Sequence, residues 1–245
     1  MAKTLVFCTS YFETEEDYYL RYKKWISYYT SLPFSEGKDF FMLDDCSNLN
    51  VADDLYNYIE GDISEDTPIE KMNFYHFDER WGNSRTANHP GWFRSFFFSL
   101  DIAKTLGYEK IIHIESDLYL LSQGICDYID GLESGWVSFR SKMYRFPESS
   151  LQIINKDNYY KFENLKQETL ARGLEQMASL NVEWLLPVTH VEEGFNGDRF
   201  GERNRKQDKD MDYYAQSRLH NNFIFDYVEQ FPEGYPIPSK GEGDD

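Results

Sequence analysis

The sequence predicts an α/β fold: a single domain on a mainly parallel, doubly wound sheet, with a smaller mixed part towards the C-terminus. Three observations lead there. Short apolar runs alternate with longer segments of helical periodicity over the first two thirds of the chain, the signature of strands joined by crossover helices. After Gly135 the alternation gives way to shorter, less regular pieces. The length of 245 residues suits one core. The expected unit spans 1–231, divided near 122 into halves 3–122 and 123–231, and the PEGYPIPSKGEGDD region, 232–245, is expected to be a mobile tail.

Each element has a local reason. TLVFCTS reads as a buried strand, and the segment from Asp17 to Thr30 as a helix, because Tyr18, Tyr22, Trp25, Ile26 and Tyr29 recur at helical spacing. Pro33 and Gly37 end it. DFFML is a second strand closing on Asp44-Asp45, followed by a weaker helix from Asp53 to Glu60 that stops at Gly61. MNFYHF is a third strand. WGNSRTANHPGW reads as a loop, and a helix begins near Pro90, a favoured first-turn residue. Its buried stripe is Trp92, Phe93, Phe96, Phe97, Leu100, Ala103 and Leu106, and Gly107 caps it. KIIHI is the fourth strand. Beyond Gly135, WVSF, SLQIIN and VEWLLPVTH are strand candidates, the last at an edge because of Pro187. The stretch from Lys161 to Leu180 reads as helix, Glu192 to Lys209 as a charged loop, and Tyr213 to Tyr227 as a last helix.

Composition excludes some partners. The formal charge is −18, and no Lys/Arg stripe is visible, so nucleic acid is not expected as a partner. An acidic protein can still hold a phosphate-bearing small molecule where a cation bridges the two. Aromatic residues make up 18% of the chain, with nineteen Tyr and nineteen Phe, enough to fill a core while supplying hydroxyls. Cys8, Cys46 and Cys126 are odd in number and match neither a zinc spacing nor a disulfide framework, which points to a reducing, cytoplasmic setting. No segment approaches the roughly 18 apolar residues of a membrane span, so no integral membrane segment is expected.

In an open parallel sheet, ligands bind beyond the carboxyl ends of the strands. Three polar clusters follow directly on predicted strands: Thr9-Ser10, Asp44-Asp45 and Glu115-Ser116-Asp117. In Glu115-Ser116-Asp117, alternate residues of an extended segment project to one side, so two carboxylates can hold a hard divalent cation. The apolar KIIHI before and LYLL after tie that pair to a buried strand. Asp44 and Asp45 can accept hydrogen bonds from a base or ribose, or can close a turn. Arg85 and Arg94, both in the GNSRTANHPGWFRS segment, are cations in a chain short of them and are candidates for base or phosphate contact.

A strand with Thr-Ser, then DDCS, then a G-x-S-R-x-x-N loop, a helix, and an apolar strand ending in carboxylate-x-Asp resembles the nucleotide-sugar-binding half of GT-A glycosyltransferases. The resemblance is to the branch carrying DDGS and Asp-x-Asp, and it covers about residues 3 to 122. It implies a nucleoside-diphosphate sugar as donor, a glycan or other hydroxyl acceptor, and Mn²⁺ or Mg²⁺ on the diphosphate. Asp44 or Asp45 would bind base and ribose, with Thr9, Arg85, Arg94 and Ser116 around the nucleotide, and Asp117 with Glu115 would bind the metal. This chain departs from the pattern at Glu115, where Asp is usual, and at Cys46, where Gly is common. In this fold a late His often adds a metal ligand, and His190 is the candidate, with His220 behind it. An inverting transfer needs a carboxylate to take the acceptor proton; among Glu192, Glu193, Asp198 and Asp212, the candidates are Glu193 and Asp212. Trp136, Tyr144, Trp184 and Phe195 offer rings for a sugar or for the core. Two other readings remain: a non-catalytic carbohydrate-binding or interaction module, and a sugar nucleotidyltransferase. The acidic, glycine-free TSYFETEEDYY after the first strand speaks against the second.

Overall fold

The computed structural model describes residues 2–48, 56–82, 89–142, 144–177, 179–199 and 211–215. Among them, the main sheet contains β1 (Thr4–Ser10), β2 (Lys38–Asp44), β3 (Asn57–Ile59), β4 (Met72–His76), β5 (Lys110–Ile114), β7 (Trp136–Arg140), β8 (Pro147–Asn155) and β9 (His190–Glu192). Their order is β3-β4-β2-β1-β5-β8-β7-β9. The first five in this order are parallel. β8 runs antiparallel to β5 and β7, and β9 is parallel to β7. A small second sheet joins β6 (Tyr119–Leu120), β10 (Gly197–Arg199) and β11 (Tyr213–Ala215) in the order β10-β11-β6. The α/β class with a mainly parallel sheet and a smaller mixed part is the one the sequence predicts.

Strand residues alternate between two cores. Val6, Cys8, Phe40, Met42, Ile112 and Ile114 belong to one buried cluster; Leu5, Phe7, Phe41, Leu43 and Ile111 belong to the other. Successive side chains of a strand leave opposite faces, so a strand buried on both faces must be apolar throughout. On the first face packs a continuous helical segment made of α1 (Glu15–Asp17), a π-helical stretch (Tyr18–Lys23) and α2 (Lys24–Ser31). Tyr18, Tyr22, Trp25 and Tyr29 are its buried stripe, joined by Ile125, Cys126 and Ile129 of α4 (Gln123–Gly131). The second face takes α3 (His89–Leu106) through Phe93, Phe96, Phe97 and Leu100, and α5 (Tyr159–Leu170) through Phe162 and Leu165. Each such side chain contributes about 1.5–3 kcal/mol on burial.

The connection order decides where a ligand can sit. From β1 the chain crosses to β2 and then outward to β4. After α3 it returns to the other side of β1 to form β5. The winding therefore reverses between β1 and β5, and the crevice at such a reversal opens at the carboxyl ends of those two strands.

Three sequence expectations are corrected. The segment expected to be helical from Asp53 to Glu60 holds β3, which pairs Asn57–Ile59 with Asn73–Tyr75 of β4; Tyr58 and Ile59 suit a pleated edge, and pairing overrides a weak helical pattern. VEWLLPVTH is not one strand. Val182–Leu185 form a helical turn, α7, and β9 starts only at His190, beyond Pro187, which lacks a ladder donor. Tyr213–Ala215, expected to open a helix, are β11, held between β10 and β6; the rest of that expected helix lies outside the described residues, as does the tail 232–245. The helix expected over 161–180 occurs as α5 and α6 (Gly173–Met177).

The tyrosines of α2 do more than fill space. Tyr29 Oη donates to Leu118 O at 3.0 Å and accepts from Leu120 N at 3.1 Å, and Tyr28 Oη donates to Leu120 O. Together they satisfy the buried backbone of the segment that follows β5. Tyr29→Phe should therefore cost about 1–3 kcal/mol by orphaning two buried backbone groups. Urea unfolding should show a lower midpoint at unchanged slope.

Candidate functional site

A cleft of about 450 Å³ opens where the winding reverses, lined from β1 by Thr9 and Ser10, from the end of β2 by Asp45, and beyond β5 by Glu115 and Asp117. Its remaining wall carries Arg21, Arg80, Trp92, Glu183 and Arg199. The size lies within the range of small-ligand sites.

Glu115 is held by neutral donors. Thr9 Oγ1 reaches its two carboxylate oxygens at 3.0 and 3.2 Å, and Trp92 Nε1 donates to Oε1. Beneath it, His113 is fully buried and stacked on Phe7. His113 Nε2 stands 3.3 Å from Glu115 Oε1, near enough to attract the carboxylate but off the line of a hydrogen bond. Burial works to raise the Glu115 carboxyl, but His113, Arg21 and Trp92 outweigh it and hold it below the ordinary 4.5. Asp117 differs. Desolvation pushes its carboxyl above the ordinary 3.8, Arg21 opposing and the Glu115 charge adding to the rise. Arg21 Nη2 lies 3.1 Å from Asp117 Oδ2, and Arg21 Nε donates to Ser116 Oγ at 2.7 Å. Ser116 is thus buried behind the cleft, holding Arg21.

The two aspartates at the end of β2 differ in their surroundings. Asp44 is fully buried and closes a turn: it accepts from Ser10 Oγ at 3.1 Å, Ser47 N at 2.8 Å, Ser47 Oγ at 2.6 Å and His76 Nδ1 at 2.8 Å. Asp45 faces the cleft, accepting from Gly82 N at 2.8 Å, Trp81 N at 3.3 Å and Arg94 Nη2. The Arg94 guanidinium is stacked over Phe77, 4.0 Å from the ring centroid. A methyl group on Gly91 would overlap the Asp45 carboxylate, which explains glycine in the first turn of α3. Between turn and loop, Cys46 takes a left-handed φ of 61°. Glycine, common there in the family that DDCS resembles, adopts this conformation freely.

Other sequence candidates lie elsewhere. His190 is exposed on β9, three strands from β5, with Nε2 3.4 Å from Glu192 Oε2. Glu193 is exposed and pairs with Arg140 at 2.9 Å. Asp212, just before β11, joins the start of α4 to the approach to β10, accepting from Ser122 Oγ at 2.5 Å and Asn196 N at 2.7 Å. None of the three lines the cleft. Arg85 and His220 lie outside the described residues.

Sequence reasoning passed over several cleft residues, Arg80 among them. Arg21 carried a signal: it falls three residues after Tyr18 and four before Trp25, a cation on the apolar stripe of its helix. Trp92 was read as core. Glu183 and Arg199 carried no signal, because their meeting depends on long-range packing. Arg199 Nη2 is 2.7 Å from Glu183 Oε1 and 2.6 Å from Glu148 Oε1, and Arg199 Nε donates to Glu148 Oε2 at 2.6 Å, all at the rim of β8.

The fold and cleft define a class: an α/β protein with a polar, ligand-sized crevice at the switch point of a parallel sheet. No protein-family model and no curated protein sequence matches the chain. Among solved structures it is similar to a glycosyltransferase involved in the glycosylation of the major capsid of PBCV-1, at 13% identity and a TM-score of 0.49, covering 89% of this chain and 95% of that one. It is also similar to S. aureus TarS 1–349 in complex with UDP-GlcNAc, at 13% identity and a TM-score of 0.46, covering 88% of this chain and 59% of that one. A third is the apo form of the glycosyltransferase GlyE of Streptococcus pneumoniae TIGR4, at 12% identity and a TM-score of 0.41, covering 74% of this chain and 40% of that one. Likeness at this level transfers no residue role and no substrate. Among the described residues, no helix is long and apolar enough to cross a membrane.

Two measurements check this geometry. Cys46→Gly should raise stability by up to about 1 kcal/mol, since the left-handed penalty of roughly 1–2 kcal/mol outweighs the chain entropy that glycine adds; thermal unfolding reads it directly. Because the Glu115 carboxyl is held low, its contribution to stability is present above the ordinary 4.5 and disappears as pH falls through the lower folded value. The stability gap between wild type and Glu115→Gln should therefore narrow on acidification, and urea midpoints from neutral pH to below 4 should show it.

Proposed function

We propose that the protein transfers a monosaccharide from a nucleoside-diphosphate sugar to a glycan or other hydroxyl acceptor. One observation carries this reading: strand-end polar groups from three distant parts of the chain share one cleft with Arg21, Arg80 and Arg199. Acids beside cations suit a ligand with a neutral polyhydroxy part and an anionic part. Asp45 would meet base or ribose, and Thr9 and Ser10 would line the path to the phosphates. The chemistry breaks the bond between the anomeric carbon and the diphosphate oxygen, so negative charge grows on the leaving group and must be met by fixed positive charge.

The divalent metal that the GT-A resemblance implies meets a poor donor set. Thr9 and Trp92 already donate to the Glu115 carboxylate, and Asp117 is paired with Arg21. Among the described residues no group of three His, Cys, Asp or Glu side chains could hold a metal ion. No step is therefore assigned to a metal.

On the acceptor side Glu183 is the cleft carboxylate set apart from the strand-end acids. It is fixed by Ser149 Oγ at 3.2 Å and by Arg199, and it takes the place in this proposal that Glu193 and Asp212 held. It would accept the hydroxyl proton as the acceptor oxygen bonds to the anomeric carbon and the diphosphate departs. Trp184, its neighbour on α7, is 75% exposed and offers a flat face to a sugar.

Donor hydrolysis and transfer, followed across a panel of nucleoside-diphosphate sugars, test the proposal. Asp117→Ala releases the Arg21 guanidinium that Asp117 holds and should lower turnover by about 10²-fold, the scale of losing one electrostatic element of a transition-state site. Glu183→Gln should lower transfer to an acceptor more than it lowers donor binding. Wild-type rates in the Asp117→Ala protein would overturn the role given to Asp117, and a protein that binds glycans but no nucleoside diphosphate would sink the transferase reading in favour of a binding module.

A further inference from the structure

We propose that Arg21 is the diphosphate anchor of this cleft, its guanidinium serving where the related motif would use a divalent cation. The proposal rests on the donor reading above and specifies how the anionic part of that donor is held.

Arg21 is built into the site. It lies in the π-helical stretch Tyr18–Lys23, between the buried Tyr18 and Trp25. Such wide turns displace a residue from the regular helical stripe and recur at functional sites. The side chain leaves the helix on the apolar face, yet it ends in the cleft, 35% exposed. There it binds both Ser116 Oγ and Asp117 Oδ2. Ser116 is 1% exposed, so its hydroxyl fixes the plane of the guanidinium. Desolvation works against charge on Arg21, yet Asp117, Tyr22 and Glu115 hold its pKa above the ordinary value.

Electrostatics explain why a cation must stand here. Glu115 and Asp117 face the same cleft in a chain of net charge −18, and an approaching diphosphate would be repelled by both. A guanidinium has five N–H donors. The contacts to Ser116 and Asp117 engage Nε and Nη2, on one side of the fork, and the rest of the fork suits two phosphate oxygens at once. Glu115 needs no further cation, because Thr9 and Trp92 already donate to it. Two carboxylates that would repel a diphosphate thus become the support that aims a guanidinium at it.

Calorimetry on the full chain with UDP, GDP, CDP, ADP and dTDP, in EDTA and again with Mn²⁺, tests this. The expected result is that at least one nucleoside diphosphate binds in EDTA with an affinity close to that in Mn²⁺. Arg21→Gln should weaken that binding by at least about tenfold while leaving affinity for the matching nucleoside, which has no phosphates, unchanged. Arg21→Lys keeps the point charge without the fork and should lie between the two; it carries the test should the glutamine variant fail to fold. Binding that appears only with Mn²⁺, or equal diphosphate affinity in wild type and Arg21→Gln, overturns the Arg21 anchor and leaves the donor reading standing. No binding of any nucleoside diphosphate under either condition overturns both.

Discussion

The cleft depends on a pair of tyrosine hydroxyls. Tyr28 and Tyr29 of α2 bond the backbone of Leu118 and Leu120, the residues that leave β5 and carry Asp117 past the sheet. Without those bonds this turn would need water inside an aromatic core. With them, the helix bearing Arg21 and the segment bearing Asp117 become one unit. The 3.1 Å pair between these residues then follows from packing, so neither flexible side chain has to find the other from solution.

Charge in this protein is managed by enclosure. Asp45 is paired with Arg94 under aromatic rings, and Glu148 is fully buried against the Nε–Nη2 edge of the Arg199 guanidinium. Buried pairs of this kind contribute little net stability against apolar replacements, but removing one partner is severe because the other is left uncompensated in a low dielectric. Their position around a single cleft is therefore better explained by geometry than by folding energy. Each holds a carboxylate or guanidinium at a fixed angle before any ligand arrives.

Much of the fold was legible because the strands are apolar on both faces and the helices carry strong stripes. TLVFCTS, DFFML, KIIHI and the Pro90–Leu106 helix announce themselves by period and punctuation. β3 and α7 were not legible: three or four residues hold too few positions for a period to show, and their state is set by neighbours distant in sequence. The site divides in the same way. Thr9, Asp45, Glu115 and Asp117 follow directly from strand ends. Ser116 and Arg94 also lie beside the strand ends, and in the structure they bond Arg21 and Asp45. His190 was singled out because it closes VEWLLPVTH, and Glu193 and Asp212 because an inverting transfer needs a carboxylate; no local pattern could show that β9 lies three strands from β5.

The cleft is built from two kinds of material. Its floor is the ends of β1 and β5, seven and five residues long and laddered to neighbours on both sides. The wall bearing Glu183 and Arg199 hangs from a four-residue helix and a three-residue strand, joined to β8 through the ion pairs of Arg199 with Glu148 and Glu183. Amides of the floor are expected to exchange with solvent through opening of the whole molecule, and those of the wall through smaller local openings. The consequence is a division of mechanical labour. The end that holds Glu115 and Asp117 is stiff, and the end that carries Glu183 is compliant.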